Sequence, residues 1–493
     1  MQEREVKLST PATFAMPTLE DLDGVIAVRE EPRRFQTVYV DTRDLRLARW
    51  GCSLRHRGGE GWTVKLPATM VGVLLVRGEH VFAGDPGRVP AAAADLLSAY
   101  VRGAELVPVV RLRTIRRRIE LRDVEGTPVG EIVDDEVSVM DGARVAARFR
   151  EVEVEVGEAV TEGALEAVLE RLRQAGAAPT DGTPKYVRAL GARASEPPEL
   201  VVPDLPPNAT VADVVGGALT SSVVRLLTHD AGVRLGEDPE DVHQARVATR
   251  RLRSDLRTFR DLLDPEWDAS LREELGWLGG ELGAVRDTDV QLMRMRGRIE
   301  LLPAEDRPDW ERLLGDLEAR RTAAREELLR EIRIPRYTAL LDRLVEAARE
   351  PAILPEVAGE PAGKVLGALM ERPWKHLKST AGPLGRGAAD EELHLVRIRA
   401  KRARYAAEAL APVFGKPAHA FAEAAIALQD ILGEHQDAVV ARTWLREASR
   451  GSRRLSFVAG ELTTIEASAA EDARRRWPKA WKRLSRRRLR FWA

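Results

Sequence analysis

A chain of 493 residues with 44% hydrophobic content is long enough for two or three domains, each with a core of its own. Its 77 Lys and Arg nearly cancel its 78 Asp and Glu, so the total charge excludes no class of partner and only the placement of charges is informative. The single cysteine, Cys52, excludes an internal disulfide and a cysteine-based zinc site, and the longest uncharged apolar stretch near the start, 66–76, is too short to span a bilayer. No apolar signal region follows Met1, so the expected location is the cytoplasm.

The first 190 residues carry short alternating runs separated by Gly, Pro and Asp, the pattern of antiparallel strands. Alternate residues of a strand share a face. Glu3, Glu5 and Lys7 therefore point one way and Val6 and Leu8 the other. The same parity groups Arg55 with Arg57, Thr63 with Lys65, Arg77 with Glu79, Arg111 with Arg113, Glu131 with Asp135, and Glu151 with Glu153 and Glu155. For one strand the plain reading is a solvated outer face. Across all of them, with Val152, Val154 and Val156 on the opposite parity, either the charged face is plain surface or the sheet closes around it. Such an interior is ruinous if dry, because an unpaired buried charge costs several kcal/mol, roughly. A wet tunnel resolves this if its bases meet a polyanion and its acids hold a hard divalent cation. Which of Glu131, Asp134 and Asp135 faces inward stays open, since one bulge would reverse them.

Glu3-Arg-Glu5-Val-Lys7 matches the ExExK opening of CYTH domains, also called triphosphate tunnel metalloenzymes. The ordered sequel Leu54-Arg55-His-Arg57, Thr63-Val-Lys65, Arg77-Gly-Glu79, the basic strand from Arg111 to Arg118, Glu151-Val-Glu153-Val-Glu155 and Lys185-Tyr186 resembles that family over residues 1–192. The resemblance implies an eight-stranded antiparallel β-tunnel that hydrolyses inorganic triphosphate or short polyphosphate with Mg²⁺ or Mn²⁺. By that likeness Lys7, Arg55, Arg57, Lys65, Arg111, Arg113 and Lys185 contact phosphates, and Glu3, Glu5, Glu79, Asp135, Glu153 and Glu155 hold metal. The Arg77-Gly-Glu79-His80 strand is thinner in carboxylates than the family pattern.

Five prolines between 197 and 207 mark a linker, placed at 193–207, and long helical periodicities follow it. A second Pro-rich gap, with Pro351, Pro355 and Pro361, separates two similar halves, about 208–350 and 362–493. His243-Gln-Ala-Arg246-Val-Ala-Thr-Arg250-Arg251-Leu-Arg253 is echoed by His394-Leu-Val-Arg397-Ile-Arg-Ala-Lys401-Arg402-Ala-Arg404, 151 positions on. Leu282-Gly283 with Asp287 recurs as Leu432-Gly433 with Asp437, 150 positions on. A duplicated unit follows, read as two helical bundles about a pseudo-twofold axis. On the first helix His243, Arg246, Arg250, Arg253 and Arg257 share an arc of about 80°, opposite an apolar face. Asp287 and Asp437 are read as orienting the arginines rather than binding metal.

The repeated His-x-x-Arg run resembles the CHAD domain, a conserved-histidine α-helical module, over 208–493. The fold expected is thus multidomain α+β: the CYTH tunnel, then an all-α CHAD domain. That likeness implies binding of inorganic polyphosphate by His243, Arg246, Arg250, Arg253, His394, Arg397, Lys401 and Arg404, and association with polyphosphate granules. Two other readings stay open: a polyphosphate-binding sensor without catalysis, and nucleic-acid binding through the basic helices. The C-terminal run from Arg474 to Arg490, with ten Lys/Arg near Trp477, Trp481, Phe491 and Trp492, would equally suit polyphosphate, single-stranded nucleic acid or an anionic membrane surface.

Overall fold

The computed structural model describes residues 2–11, 13–19, 25–157, 160–180, 182–450 and 452–492, with the side chains of Gln2 and Glu3 outside that set. The chain divides into two compact units, Met1–Glu199 and Leu200–Ala493. The break falls inside the Pro-rich segment, whose first residues belong to the first unit. Arg49 Nε donates to the Pro197 carbonyl at 2.8 Å, and Trp50 Nε1 and Arg102 Nη2 donate to Glu199 at 2.9 and 2.5 Å.

In the first unit the strands are β1 (Gln2–Ser9), β2 (Ile26–Arg29), β3 (Arg33–Asp41), β4 (Ser53–Arg57), β5 (Gly61–Lys65), β6 (Thr69–Val71), β7 (Leu74–Phe82), β8 (Val107–Arg122), β9 (Pro128–Asp141), β10 (Arg144–Val156) and β11 (Ala178–Pro179). Eight of them run β1-β10-β9-β8-β3-β4-β5-β7, and β7 returns to β1 through the register Glu3↔Arg77 and Glu5↔Leu75. Every pairing is antiparallel, so the sheet closes into a barrel and loses its edges. Its outer face is apolar where it is covered: Leu8, Ile119, Leu121, Ile132, Val152, Val154 and Val156 bury against Leu165, Val168, Leu169 and Leu172 of helix α1 (Glu162–Gln174).

The register also settles the carboxylates of β9. Glu151 pairs with Asp135 and Glu155 with Glu131, and the register is unbroken from Gly130 to Val139. Asp135 therefore faces inward with the glutamates. Asp134 faces out, where Arg150 grips it with two bonds of 2.7 and 2.8 Å. One end of the barrel is filled by Tyr39, Leu112, Val137 and Val139 packed on Tyr186 and Val187 of helix α2 (Lys185–Leu190). Tyr186 stacks on Tyr39 at 5.0 Å and donates its hydroxyl to the Cys52 carbonyl.

The second unit is helical: α3 (Val211–Leu235), α4 (Pro239–Phe259), α5 (Pro265–Arg296), α6 (Arg307–Glu331), α7 (Pro335–Arg349), α8 (Glu371–Ala381), α9 (Asp390–Phe414), α10 (Lys416–Ala448) and α11 (Arg453–Leu484). Asp238 caps α4 and Pro239 opens it, where a missing N–H costs nothing. α3 is long and apolar enough to cross a membrane by composition, but half of its most apolar window is buried inside the unit.

Equivalent helices start 151 positions apart, α4 with α9 and α5 with α10. The twofold relation between the repeats is visible in the backbone. Thr210 and Pro361, themselves 151 apart, form an antiparallel bridge in which Val211 N donates to Glu360 O at 2.9 Å and Ala362 N to Ala209 O at 3.0 Å. Each of these bonds is the symmetry mate of the other. About this axis α4 packs on α9, which brings the two basic runs together.

Candidate functional site

The barrel encloses a cavity of about 310 Å³ lined by Lys7, Arg55, Arg57, Lys65, Arg116 and Glu153 among others. Strand order makes this lumen polar across its width. β1, β10 and β9 bring Glu5, Glu151, Glu153, Glu155, Glu131 and Asp135 to one wall, and β8, β3, β4 and β5 bring Arg116, Arg118, Arg33, Arg55, Arg57 and Lys65 to the other. Carboxylate oxygens of Glu5, Glu153 and Glu155 lie within 4.8 Å of one another. Lys7 and Lys185 stand at the seam: Lys7 Nζ donates to Glu153 at 2.8 Å, and Lys185 Nζ to Glu153 and Asp135 at 2.6 Å each.

The charges perturb one another as this arrangement requires. Burial alone would lower the Lys7 and Lys185 ammonium pKa values, but the surrounding carboxylates, Glu153 first, raise both. Burial would likewise raise Glu153, yet Lys185 and Lys7 hold it well below the usual carboxylate range. Glu151, fully buried and with neither carboxylate oxygen hydrogen-bonded, is pushed up to about 7 by burial and by the charge of Glu153. On the opposite wall burial, Arg55 and Arg116 push Arg57 down to about 10, as expected where cations outnumber their partners.

Most predicted tunnel residues meet in this lumen. Lys7, Arg55, Arg57, Lys65 and Lys185 line it, and Glu5, Glu153 and Glu155 form the carboxylate cluster. Glu79 is inside but 2.9 Å from Lys65, and Asp135 is held by two bonds from Arg116 at 2.9 and 2.8 Å. The Glu3 side chain lies outside the described residues.

Arg111 and Arg113 depart from the expectation: both are exposed on the outside of β8. Ile119 and Leu121 share their parity and pack under α1, which makes that face the outer one. Arg116 and Arg118, of the opposite parity, occupy the lumen instead. The strand by itself does not reveal this, since apolar residues fall on both parities, Leu112 with Arg116 and Ile119 with Arg113. Arg33 on β3 and Arg77 of the Arg77-Gly-Glu79 motif, which donates to Glu5 at 2.7 Å, also line the lumen, where the sequence reading assigns neither a phosphate nor a metal role.

In the helical unit the two basic rows face each other across the twofold axis. Arg246 Nη1 donates to Asp287 at 2.7 Å, which fits the orienting role read for that aspartate. The Arg246 and Arg397 guanidinium groups lie over Gly283 and Gly433, 3.7 and 3.8 Å from where a Cβ would stand, an ordinary contact distance. Arg250 and Arg404 flank the Tyr405 ring at 5.5 and 4.5 Å. Lys401 forms no ion pair among the described residues, although its charge reaches Asp437. Burial and the charges of Arg397, Arg250, Arg246 and Arg404 push its ammonium down to about 7. Of the two histidines, His394 shares a 2.7 Å hydrogen bond with Gln436, while burial and Arg286 depress His243.

The C-terminal aromatics turn inward. Trp477 is fully buried, Trp481 stacks on Trp374 at 5.8 Å, and Phe491 and Trp492 pack on Phe421. Trp477 is a core residue, and Trp481, Phe491 and Trp492 are half-buried in an aromatic cluster with Trp374 and Phe421.

A family profile of the CYTH domain matches residues 1–187, and one of the CHAD domain matches 217–446. The closed tunnel followed by the duplicated helical unit defines the class, and the chain belongs to the family of CYTH–CHAD fusion proteins. Two Mycobacterium tuberculosis relatives, Uncharacterized protein MT2285 and Uncharacterized protein Rv2226, are each 32% identical over 513 aligned positions covering 98% of this chain and 96% of theirs. Among solved structures, the CHAD domain from the plant Ricinus communis is similar with a TM-score of 0.47 and 26% identity, over 58% of this chain and 94% of that one. PptA from Streptomyces chartreusis is similar with a TM-score of 0.46 and 23% identity, over 56% of this chain and all of that one. The CYTH domain places the first unit among tunnel metalloenzymes, a metal-dependent family that generally uses Mg²⁺ or Mn²⁺.

Proposed function

We propose that the tunnel hydrolyses inorganic triphosphate or short polyphosphate, and that the helical unit binds inorganic polyphosphate along its paired basic rows. The observation that carries the first half is the facing of three clustered carboxylates by a wall of Arg and Lys within one closed cavity of about 310 Å³. Three carboxylates held within 4.8 Å repel one another, and their hard oxygens suit Mg²⁺ or Mn²⁺. A divalent ion held by Glu5, Glu153 and Glu155 would supply Lewis-acid polarisation of phosphate oxygens.

The protein's own groups do the remainder. Arg55, Arg57, Lys65, Arg116 and Arg118 grip the non-bridging oxygens and neutralise charge that builds on the transferring and leaving groups. Lys7 and Lys185 keep Glu153 ionised. Helix α2 stops one end of the barrel and limits the water that enters. Water attacks the terminal phosphorus, the bridging P–O bond breaks, and tripolyphosphate yields orthophosphate and pyrophosphate.

The test is phosphate release from tripolyphosphate with Mg²⁺ or Mn²⁺, comparing the parent with Lys7→Ala and Glu5→Ala. Equal rates in all three would end the assignment. A sensing tunnel without catalysis is the second reading, favoured by the pairing of Glu79 with Lys65, Glu5 with Arg77 and Asp135 with Arg116. Tight binding with tripolyphosphate left intact would select it. For the helical unit, loss of long-chain polyphosphate binding in Arg246→Ala and Arg397→Ala is expected, and displacement of that polymer by DNA or RNA at moderate salt would favour nucleic acid instead.

A further inference from the structure

Two cavities of the helical unit are symmetry mates, and they have diverged. The first, about 750 Å³, lies between α3, the second half of α4 and the second half of α9. The second, about 470 Å³, is lined by Ser254, Arg257, Arg372, His376, Arg399 and Arg402 among others. Advancing or reducing residue numbers by 151 carries one lining onto the other. Arg251 becomes Arg402, Arg225 becomes His376 and Ser221 becomes Arg372. In the same way Ala248 becomes Arg399, Glu408 becomes Arg257 and Tyr405 becomes Ser254.

The exchange changes the charge of the two sites in opposite senses. In the first cavity Arg251 is satisfied by Asp255 at 3.2 Å and by Glu408, and Arg404 by Glu408 at 3.5 Å. Those two arginines are offset, while Arg225 and Arg250 of the same lining form no ion pair among the described residues. In the second, Arg257 replaces the glutamate, Arg399 replaces an alanine and Arg372 replaces a serine. Among the described residues none of Arg257, Arg372, Arg399 and Arg402 forms an ion pair, and the Arg399 Nε is buried without a hydrogen-bond partner. The one carboxylate in that lining, Asp261, is engaged by Arg260 at 3.3 Å. Asp268 acts on Arg257 but is itself paired with Arg272 at 2.7 Å. Cations therefore outnumber carboxylates in this concave site, where Arg257, Arg399 and Arg402 are half-buried and Arg372 and His376 are exposed, and they repel one another unless an anion joins them.

We infer that the cavity formed by Arg257, Arg372, His376, Arg399 and Arg402, at the end of the row that Arg257 closes and beyond the residues named above for polyphosphate, is a second anion site of the helical unit, which takes the terminal phosphoryl group of a phosphoanhydride chain. A terminal phosphoryl group carries more charge and more free oxygens than an internal unit, so several guanidinium forks converging from three helices select it. Its mate, where Asp255 and Glu408 offset Arg251 and Arg404, is less cationic and holds a chain end less well. The duplication thereby gives the unit one preferred end-binding pocket, from which a bound chain extends in one direction.

The test uses the full-length protein in EDTA, with tripolyphosphate as probe and the His376 imidazole as reporter, assigned in histidine-labelled NMR spectra with His376→Gln. Burial and the charges of Arg399, Arg372 and Arg402 hold that imidazole below its ordinary value. An anion in the pocket raises it, by roughly half a pH unit or more. Arg257→Glu and Arg399→Ala install the residues that the mate cavity already carries, so both are expected to fold, with thermal melts as the control, and to abolish the response. A folded parent whose His376 ignores saturating tripolyphosphate, or an equal response in both variants, overturns the inference. Long-chain polyphosphate at matched chain-end concentration separates the sources: an equal response marks chain ends as the ligand, and a response to tripolyphosphate alone marks the free short chain. Hydrolysis in the tunnel is read independently, so failure here leaves that assignment intact and the converse holds.

Discussion

Lys7 makes its 2.8 Å bond to Glu153 while Glu5 and Glu151 lie 3.5 and 3.8 Å away, so one ammonium group compensates three carboxylates. Removing it leaves buried acids uncompensated at the site where phosphate must approach. Lys7→Ala is therefore expected to lower kcat/KM for tripolyphosphate by about 100-fold or more, the loss typical of one preorganised charge contact. Arg116→Ala, which leaves Asp135 to Lys185 alone, should do the same. Arg113→Ala should leave the rate within about twofold, because exposed surface changes rarely act at a distance. Steady-state kinetics on the three variants check both halves.

At Lys401 the prediction concerns pH. Its ammonium in the free protein sits at about 7, depressed by burial and four arginines. A bound polyanion offsets those charges and moves the group back towards its ordinary value, so the complex holds a proton that the free protein has lost. Between pH 7 and that higher value binding takes up a proton, and affinity falls as pH rises. Calorimetry in two buffers of different ionisation heat should show the uptake above pH 7, and Lys401→Arg should remove it. Binding heats independent of buffer would contradict the proton linkage.

At the scale of the element, the barrel depends on one helix. Leu165, Val168, Leu169 and Leu172 of α1 cover Val152, Val154 and Val156, the outer parity of the strand whose inner parity carries Glu151, Glu153 and Glu155. Leu169→Ala should cost about 2–5 kcal/mol of stability in the first unit, as buried Leu truncations do. It should also loosen the carboxylate cluster that β10 presents. Denaturant unfolding followed beside tripolyphosphate hydrolysis would reveal both effects. The C-terminal segment is argued in the same way. Phe491 and Trp492 pack on Trp374, Phe414 and Phe421, so deleting residues 485–493 should lower the melting temperature of the helical unit. The measurement is a thermal melt of the truncated chain; an unchanged melt with lost polyphosphate binding would restore the tail as a binding element.

For the whole molecule the two units make separable predictions. Lys7→Ala should abolish hydrolysis and leave long-chain polyphosphate binding untouched, while Arg397→Ala should weaken that binding and leave turnover of tripolyphosphate unchanged. Filter binding and phosphate release on the same two preparations test the pair. If Arg397→Ala also slows tripolyphosphate turnover, the helical rows contribute to the chemistry.

The amino-acid sequence by itself determined what is local or repeats. A period of two separates the inner glutamates of β10 from its outer valines, and a 151-residue offset announces the duplicated helices, because both depend only on spacing along the chain. Tertiary structure alone decided which side of a strand is inside. Arg111 and Arg113 look as tunnel-facing as Arg116 and Arg118 until β8 is paired with β3 and β9 and one parity is covered by α1. The same holds for the C-terminal tryptophans, whose partners lie up to 118 residues away, and for the two diverged cavities, whose walls come from both repeats. Inside and outside are properties of closure, and closure is made by residues that no window along the chain brings together.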